Sequence, residues 1–307
     1  MMQAIQTVAV LGAGAMGAYF SSRFFEADGF SVCLVAKDDR LARLRKDGLI
    51  VNGQSYPIPV IDPRESLDPV DLIIVGLKHH HLPQAVPDLK NLVGEQTTII
   101  SVMNGLDSER IIGAEYGMDK LLYAISVGID AVRQGNRVTY SKPGKHYFGD
   151  PDNTHISERA RRVSQAFDKA GIIHEIPVDM IRMVWWKFMI NVGMNPASAV
   201  MRAPYGVFQT RSEARALMEA LMREVIVLAA SEGVNLSDQD LDEWLTVLYT
   251  LSPQGKTSML QDIEAGFKTE VEIFSQKVVE LGQHHGIPTP VNQTILQIVR
   301  VLEQASG

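Results

Sequence analysis

A lysine and two asparagines recur at every fourth position of one apolar segment, VWWKFMINVGMNPASAV, as Lys187, Asn191 and Asn195. Residues at this spacing lie on the same side of an α-helix. The remaining positions are almost all apolar and include two tryptophans, which indicates a buried helix. Burial disfavours the charged form of a lysine and lowers its pKa, so Lys187 is a candidate proton donor near neutral pH. Pro196 follows Asn195 directly and is expected to kink or end the helix.

An ordinary amphipathic helix with a solvated polar stripe is the alternative interpretation of this segment. Such stripes usually carry Glu, Lys, Arg and Gln, whereas asparagine is a poor helix former that needs a reason to appear twice in register. The pattern therefore favours a polar site on a buried helix.

A glycine-rich turn directly follows the first apolar run of the chain, in the sequence VAVLGAGAMGAYF. Gly12, Gly14 and Gly17 have the GxGxxG spacing of dinucleotide-binding loops. The first glycine permits a tight turn, the second lets the backbone approach a pyrophosphate, and the third lets the helix pack against the strand. A strand before the loop and a helix after it favour a cofactor site over a merely structural turn. The residues expected to contact the cofactor are Gly12, Ala13, Gly14, Ala15, Met16 and Gly17.

The residues after the second strand bear on the choice between NAD and NADP. An NAD site usually places an acidic residue there to bind the ribose 2′-hydroxyl, whereas an NADP site tends to place a cation. The strand SVCLVA is followed by Lys37, with Arg40 one turn further on. Asp38 and Asp39 leave ribose binding open, although they are expected to cap the next helix. Lys37 therefore favours NADPH as the cofactor.

The first half of the chain alternates short apolar runs with helical segments, which is typical of a parallel sheet with crossover helices. A hairpin is predicted with Asn52 and Gly53 at its turn. The segments LLYAISVGIDAV, NRVTYS and KHYFGD are expected to add antiparallel strands at the sheet edge. The main strands are predicted at Thr7–Leu11, Val32–Ala36, Leu72–Val75 and Thr98–Val102.

From Pro177 onward the pattern is helical. Helices are predicted at Met180–Val200, Ser212–Glu232, Leu241–Leu251, Ser258–Ala265, Glu270–His285 and Val291–Gln304. We therefore expect an α/β fold with two domains. Residues 1–178 would form a Rossmann-type, doubly wound domain, and residues 179–307 would form an all-α domain.

Composition narrows the classes of partner. The chain has 307 residues and a net charge of -7, with no block of Lys and Arg, which argues against a nucleic-acid partner. Cys33 is the only cysteine, so an internal disulfide is excluded. The N-terminal segment resembles neither a signal peptide nor a membrane span, so a cytoplasmic protein without a membrane partner is expected.

Motifs along nearly the whole chain resemble those of the ketopantoate reductase (2-dehydropantoate 2-reductase) family and occur in that family's order. They are GAGAMG, VGLKHH, VMNGLDSE, WWKFMINVGMNP and TSMLQDIEAGFKTEVE. The resemblance implies NADPH-dependent reduction of the C2 ketone of ketopantoate to (R)-pantoate, in pantothenate and coenzyme A biosynthesis. It also implies a helical domain of the 6-phosphogluconate-dehydrogenase-like type.

The resemblance assigns roles to individual residues. Lys187 matches the catalytic lysine that protonates the developing alkoxide, and Glu270 matches an acidic catalytic residue that interacts with that lysine and with substrate hydroxyls. The family's substrate-binding positions are matched by Asn104, Asn191, Asn195 and Ser258. Positions beside the cofactor are matched by Lys37, Lys78, Asn104 and Glu270.

Without the family pattern, several of these residues have simpler interpretations. Ser258 and Glu270 would be helix-cap and first-turn residues, Lys78 a solvated loop lysine, and Asn104 part of a turn. The triplet His79–His81 has no partner at metal-ligand spacing, so a helix start is expected there rather than a metal site.

Two other functions stay open. One is a paralogous NADP-dependent reductase of another branched 2-ketoacid, because Ser275 and Gln276 stand where many family members have a small Asn-Gly pair. The other is an NADP(H)-binding sensor without catalysis, which the lysine-asparagine pattern argues against. The helical domain has enough apolar surface for a possible homodimer.

Overall fold

The computed structural model of the protein describes residues 3–65 and 68–305. The chain divides into two compact units, Met1–Met103 with Asp107–Met183 and Asn104–Leu106 with Val184–Gly307. The second unit thus includes one short loop from the first half of the sequence. The domain border expected after residue 178 stays a proposal.

The first unit contains two β-sheets. Its strands are β1 Thr7–Leu11, β2 Ser31–Val35, β3 Leu49–Val51, β4 Gln54–Tyr56, β5 Val60–Ile61, β6 Leu72–Val75, β7 Thr98–Ser101, β8 Leu121–Ile129, β9 Val132–Gln134, β10 Arg137–Thr139, β11 Pro143–Gly149 and β12 His174–Glu175. The eight-stranded sheet has the order β12-β11-β8-β7-β6-β1-β2-β5, and the smaller sheet has the order β4-β3-β10-β9. The six strands from β8 to β5 pair in parallel, whereas β11 pairs antiparallel with β8.

Helices cover both faces of the large sheet. Val8 and Val10 of β1 belong to one apolar core, and the alternate residues Ala9 and Leu11 belong to a second core. Strands buried on both faces explain why the sequence shows continuous apolar runs rather than alternation. The helices of this unit are α1 Ala15–Glu26, α2 Asp38–Asp47, α3 Leu82–Ala85, α4 Ser108–Tyr116 and α5 Glu158–Lys169. The predicted Rossmann-type arrangement is confirmed.

The predicted hairpin is present, since β3 and β4 pair antiparallel around Asn52 and Gly53, whose φ angles are 48° and 83°. The prediction for NRVTYS is wrong, because β10 joins the small sheet, parallel to β3 and antiparallel to β9. Val138 of β10 is buried in the first core, so this short strand gains more from packing there than from extending the large sheet.

Capping of α2 by its aspartates is also not observed. No side chain caps the helix at Lys37, and Asp38 adopts a φ of 54°. The Asp38 carboxylate instead accepts a hydrogen bond from Arg64 Nη1 at 3.0 Å. Arg64, which the fold brings close, therefore binds the carboxylate that was expected to cap the helix.

The second unit is helical. Its helices are α6 Met180–Met201, which begins in the first unit, α7 Tyr205–Thr210, α8 Ser212–Ser231, α9 Asp238–Thr250, α10 Ser258–Glu264, α11 Ser275–His285 and α12 Pro290–Ala305. None of the helices within residues 3–65 and 68–305 is long and apolar enough to cross a membrane.

One prediction for this unit is wrong, and one of the two outcomes expected at Pro196 is not observed. The helix expected over Glu270–His285 is broken, because a 3₁₀ turn at Val271–Ile273 precedes α11. Thr269 holds this turn by accepting a hydrogen bond from the Val271 backbone N–H and by bonding to Glu303 of α12. Pro196 does not end α6, which continues to Met201. The residues just after this proline are completely buried, so tertiary packing offsets the lost backbone hydrogen bond.

A buried histidine in the first unit is expected to make folding sensitive to acid. His146 is 2% exposed, its ring lies 4.8 Å from that of Phe20, and its Nδ1 is 2.8 Å from the hydroxyl of Ser126. Its Nε2 is buried without a hydrogen-bond partner among the described residues. Burial lowers the pKa of His146 from 6.5 to about 4, so the neutral ring is the form that folds.

We predict that His146→Phe reduces the loss of stability in acid. An unfolded histidine binds a proton near pH 6.5, whereas the folded His146 binds one only near pH 4. The contribution of His146 to the free energy of unfolding is therefore complete above pH 6.5 and is lost as the pH falls from 6.5 towards 4. The native free energy of unfolding should fall by about 2 kcal/mol more than that of the variant between about pH 7 and about pH 5. Urea titrations measure this difference, with exposed His155 changed to Phe as the control. Equal acid sensitivity of native protein and His146→Phe would contradict the prediction.

Candidate active site

Helix α6 carries the candidate catalytic lysine through an apolar environment. Val184, Trp185 and Trp186 precede Lys187, and Phe188 follows it; all four neighbours are buried. The rings of Trp185 and Phe188 pack edge to face at 5.7 Å. The predicted buried helix is confirmed, with its polar side chains on one side.

A continuous chain of hydrogen bonds joins four of the predicted site residues, and we call it the polar chain: Asn104, Asn191, Asn195 and Ser258. The Asn191 amide donates to Asn104 Oδ1 at 3.1 Å, and the Asn195 amide donates to Asn191 Oδ1 at 3.3 Å. Asn195 Oδ1 accepts from Ser258 Oγ at 3.0 Å and from the Met259 backbone N–H at 3.3 Å. Asn191 and Asn195 are 5% and 7% exposed, so these bonds satisfy polar groups that water scarcely reaches.

Lys187 lies one helical turn before Asn191 and on the same side of α6. The side chain keeps partial access to solvent, but none of the described residues forms a hydrogen bond or an ion pair with its ammonium. Burial lowers the pKa of Lys187 from 10.5 to about 8. A lysine with this pKa exchanges its proton in the range where a general acid is effective.

The polar chain leaves donors available for a ligand. Each inner asparagine uses its amide oxygen and its nitrogen within the chain, so Asn191 and Asn195 are held in one orientation. The terminal Asn104 uses only its oxygen there, and its NH₂ group has no acceptor among the described residues. The amide of Asn104 and the ammonium of Lys187 are both donors, which suits a ligand rich in oxygen acceptors.

Glu270 is 7% exposed and lies at the start of the 3₁₀ turn Val271–Ile273. This turn packs against the loop of Asn104, because a Cβ added to Gly105 would lie only 3.3 Å from Ile273 Cβ. The backbone N–H of Ile273 donates to the Glu270 carbonyl at 3.1 Å. Glu270 is thus placed on the turn that supports one end of the polar chain.

In the first unit, the loop of residues 12–17 has the geometry of a phosphate cradle. Gly12 has a φ of 107°, and a Cβ there would lie 2.4 Å from the Gly76 carbonyl oxygen. A Cβ on Gly17 would lie 1.7 Å from the Gly12 carbonyl oxygen, so only glycine allows α1 to pack so closely. A Cβ on Gly14 would meet no such crowding, since its nearest neighbour, the Gly76 carbonyl oxygen, would lie 3.7 Å away.

The residues present fit a dinucleotide. Gly14 is the N-cap of α1 and provides no side chain to satisfy the first N–H groups of that helix. No acidic residue stands in the first turn of α1 to repel a phosphate. The open space at Gly14 and the uncapped helix start are the features that a bound pyrophosphate requires.

The predicted cofactor lysines lie near this loop in the sheet. Leu11 of β1 pairs with Val35 of β2 and with Val75 of β6, so the segments after all three strands leave the same edge. Lys78 follows β6 and begins the 3₁₀ turn His79–His81, which agrees with the predicted helix start. Lys37 follows β2, and its ammonium forms an ion pair with Asp88 at 2.9 Å.

Sequence reasoning missed a group of cations beside Lys37. Arg40 and Arg43 of α2 lie close enough to Arg133 of β9 for the positive charges of Arg43 and Arg133 to lower the pKa of Arg40, with burial as the larger cause. The sequence indicates Arg40 only by its position one turn after Lys37. No local pattern could have indicated Arg133, which is distant in the sequence and reaches α2 through the small sheet.

Ser275 and Gln276, the departures from the family pattern, face different surroundings. Gln276 donates to Glu280 at 2.6 Å and accepts from Arg300 at 2.8 Å, in an exposed polar network. Ser275 is completely buried, and its hydroxyl has no partner among the described residues. The side chain of Gln276 therefore belongs to a surface network, whereas that of Ser275 lies in the interior.

Two family models match the chain. The model described as ketopantoate reductase PanE/ApbA matches residues 8–153, and the model described as ketopantoate reductase PanE/ApbA C terminal matches residues 179–303. Together they cover most of the sequence.

Individual relatives agree with this match. The 2-dehydropantoate 2-reductase of Streptococcus pyogenes serotype M6 is 23% identical over 302 residues, covering 96% of this chain and 97% of the relative. The structure of D-mandelate dehydrogenase with NADH and anilino(oxo)acetate has a TM-score of 0.89 at 21% identity, covering 98% of this chain and 99% of that one. A dimeric ketopantoate reductase from Staphylococcus aureus has a TM-score of 0.82 at 23% identity, covering 98% and 100%.

The structural neighbours confirm an α/β Rossmann-type domain followed by an α-helical domain. Because the two family models span most of the sequence, the chain belongs to the ketopantoate reductase family of oxidoreductases, with a Rossmann-type NAD(P)-binding domain.

Proposed function

We propose that this protein is an NADPH-dependent 2-dehydropantoate 2-reductase that converts ketopantoate to (R)-pantoate for pantothenate and coenzyme A biosynthesis. The observation that carries the proposal is the desolvated ammonium of Lys187, one helical turn from the polar chain. The names of the relatives in this family support the choice of substrate.

Lys187 is proposed as the general acid. NADPH, when bound, would supply a hydride to C2 of the ketone, which is chemistry that the polypeptide itself lacks. Lys187 would donate a proton to the ketone oxygen as the carbon–oxygen double bond becomes a single bond, and its amine would be left neutral. Burial already disfavours the ammonium form, so Lys187 gives up this proton more readily than a solvated lysine would.

The polar chain is proposed to orient the substrate. The available NH₂ of Asn104 would donate to an oxygen of the substrate. The Ser258 hydroxyl, which donates to Asn195 in the structure, would turn to donate to the substrate carboxylate. Asn191 and Asn195 would bind the substrate while holding these groups in place. Glu270 would accept a hydrogen bond from a substrate hydroxyl, which a carboxylate does well in a nearly dry site.

NADPH is proposed over NADH because a cation, Lys37, follows β2 where an NAD site usually has an acidic residue. The backbone of residues 12–17 would hold the pyrophosphate, and Lys78, Asn104 and Glu270 would contribute further cofactor contacts. The D-mandelate dehydrogenase with a similar fold has NADH bound. Cofactor preference therefore has to be measured on this chain.

Another branched 2-ketoacid is the second candidate substrate. Ser275 is one of the two positions at which the sequence departs from the family pattern, and its buried hydroxyl has no partner among the described residues. The D-mandelate dehydrogenase of similar fold acts on a different 2-hydroxy acid by its name. A panel of 2-ketoacids with NADPH oxidation as the readout decides between the two. Faster turnover of another ketoacid than of ketopantoate would favour the alternative, and tight NADPH binding without any turnover would favour a sensor.

We also propose a homodimer, for which the dimeric Staphylococcus aureus enzyme of similar fold is the support. The cytoplasmic location expected from the sequence stays a prediction.

One prediction concerns the role of Lys187 in the reaction. Lys187→Ala should lower kcat about 10²-fold to 10⁴-fold, the usual contribution of a positioned acid, while NADPH affinity changes little. In the native enzyme the rate of ketone reduction should fall above about pH 8, because the proton is then lost from Lys187. This alkaline limb should disappear in the variant. Lys256→Ala, which removes an exposed lysine paired with Glu264, serves as the control.

Two results would contradict this role. One is a Lys187→Ala enzyme with native kcat. The other is an unchanged alkaline limb in the variant, which would assign the titration to another group.

We also predict that Lys187→Met stabilises the fold while abolishing activity. The pKa of Lys187 is 10.5 in the unfolded chain and about 8 in the folded protein. Below pH 8 the buried charge therefore lowers the free energy of unfolding, and this loss disappears as the pH rises towards 10.5. Removing the charge should raise the free energy of unfolding at neutral pH by about 1–3 kcal/mol. Urea unfolding of the native protein and of Lys187→Met measures the gain, and Lys256→Met should show none. A less stable Lys187→Met protein would argue against the desolvated lysine.

A further inference from the structure

We propose that Glu109 acts through two serines to position Asn104 for substrate binding. The three residues form a row of hydrogen bonds at the base of the loop of residues 102–107, and we call them the serine bridge: Ser101, Ser108 and Glu109. The family resemblance assigns a role to none of the three. The proposal rests on the proposed function, because it is there that the Asn104 amide would donate to the substrate.

The serine bridge joins the two ends of this loop. Strand β7 ends at Ser101, and helix α4 begins at Ser108. The Ser101 hydroxyl donates to Ser108 Oγ at 2.8 Å, and the Ser108 hydroxyl donates to Glu109 Oε2 at 2.8 Å. Ser101 Oγ also accepts from the Met103 backbone N–H at 3.4 Å, the longest of these bonds. The hydrogen bonds therefore extend from the carboxyl group of Glu109 to the residue directly before Asn104.

The carboxylate fixes the direction of every bond in the serine bridge. An ionised carboxylate only accepts hydrogen bonds, so the Ser108 hydroxyl has to donate to Glu109. Each hydroxyl has a single proton, so Ser108 can only accept from Ser101, and Ser101 can only accept from the Met103 N–H. Consecutive bonds that run in one direction polarise and strengthen one another. Glu109 therefore determines how the backbone is held one residue before Asn104.

The serine bridge is almost entirely buried. Ser101, Ser108 and Glu109 are 0%, 2% and 3% exposed. Burial is the main cause that raises the pKa of Glu109 from 4.5 to about 7. An exposed acid would interact with the first turn of α4 without this cost, so the burial of Glu109 needs another explanation. Orienting the two buried serines is a role that an exposed glutamate could not perform.

Glu109 is also held by the strand that lies beside β7. A backbone hydrogen bond with Ala124 of β8 favours the charged form of its carboxyl group. β8 pairs in parallel with β7 in the large sheet, where Ile100 lies opposite Leu122. The acceptor end of the serine bridge is therefore fixed to the sheet as well as to α4, which makes it a firm support for the loop.

The loop needs such a support because a glycine follows Asn104 directly. Gly105 has a φ of 96°, a positive value that favours glycine, and glycine has more conformational freedom than any other residue. On the side-chain side, Asn104 Oδ1 accepts from the Asn191 amide at 3.1 Å. With Met103 held by the serine bridge, the NH₂ of Asn104 has little freedom to lose when the substrate binds. Such preorganisation strengthens binding by lowering its entropic cost.

Steady-state kinetics of ketopantoate reduction test the positioning role. The measurements use a pH between the pKa of Glu109, about 7, and that of Lys187, about 8. Ser101→Ala and Glu109→Gln should each raise KM for ketopantoate about 3-fold and leave kcat within about 2-fold, because substrate binding is weakened uniformly. Two matched controls should change neither constant. Ser22→Ala removes a similarly buried serine that bonds to its own helix, and Glu115→Gln removes an exposed carboxylate from α4.

Double variants show whether the serine bridge acts through Asn104. Asn104→Ala alone should raise KM about 10-fold, the loss expected for one hydrogen bond to the substrate. In that background Ser101→Ala or Glu109→Gln should change KM by less than about 2-fold, because the group that they position is already gone. Native KM in both single variants, or full multiplication of the single effects in the double variants, would overturn the proposal. Melting temperatures identify a Glu109→Gln protein that fails to fold, and Ser108→Ala then interrupts the same bridge.

Hydrogen exchange of residues 102–107, measured by mass spectrometry on the full chain without substrate, tests the serine bridge independently of catalysis. Exchange should be at least about 3-fold faster in Ser101→Ala and Glu109→Gln than in the native protein, and unchanged in Ser22→Ala. Turnover by the native protein with unchanged exchange and KM in the bridge variants would reject the positioning role alone. No turnover by the native protein, with faster exchange in those variants, would reject the proposed reaction and leave the serine bridge as the device that fixes Asn104.

Discussion

The ammonium of Lys187 is held in surroundings that disfavour its charge, and the organisation of the helical unit depends on this constraint. Apolar side chains surround most of α6, and together they provide the burial that keeps the helix in place. The same burial lowers the pKa of Lys187 to about 8. Folding is thus opposed locally by the group that we propose as the general acid, and the packing of the tryptophans and of Phe188 has to offset that cost.

The polar chain is the second consequence of placing a site on a buried helix. Asparagine side chains inside an apolar unit are costly unless each donor and acceptor is paired. Asn191 and Asn195 pair with each other, with Asn104 and with Ser258, so their orientation is fixed without a ligand. The group left available for a ligand is the NH₂ of Asn104, at the end of the polar chain. A rigid interior with free groups at its end is suited to binding a small, oxygen-rich acid.

Local features of the sequence were enough to predict much of this arrangement. The spacing of Lys187, Asn191 and Asn195 is a property of one helix, and the glycine spacing is a property of one turn, so both could be recognised without the fold. Tertiary contacts could not be predicted from such local features. Asn104 meets Asn191 across 87 positions, and Lys37 meets Asp88 across 51. The 3₁₀ turn after Glu270 depends on a hydrogen bond from Thr269 to Glu303, and helical periodicity cannot predict a contact between residues so far apart in the sequence. Arg133 reaches α2 only because β10 pairs in parallel with β3.

The most direct test of this account is the pKa of Lys187 itself. Nuclear magnetic resonance of protein with isotope-labelled lysine measures it as a function of pH, and the signal that is lost in Lys187→Met identifies the residue. We expect a titration midpoint of about 8 in the protein without substrate. A midpoint near the ordinary lysine value of 10.5 would show that the ammonium is solvated, and it would contradict the proposed role of Lys187 as a desolvated general acid.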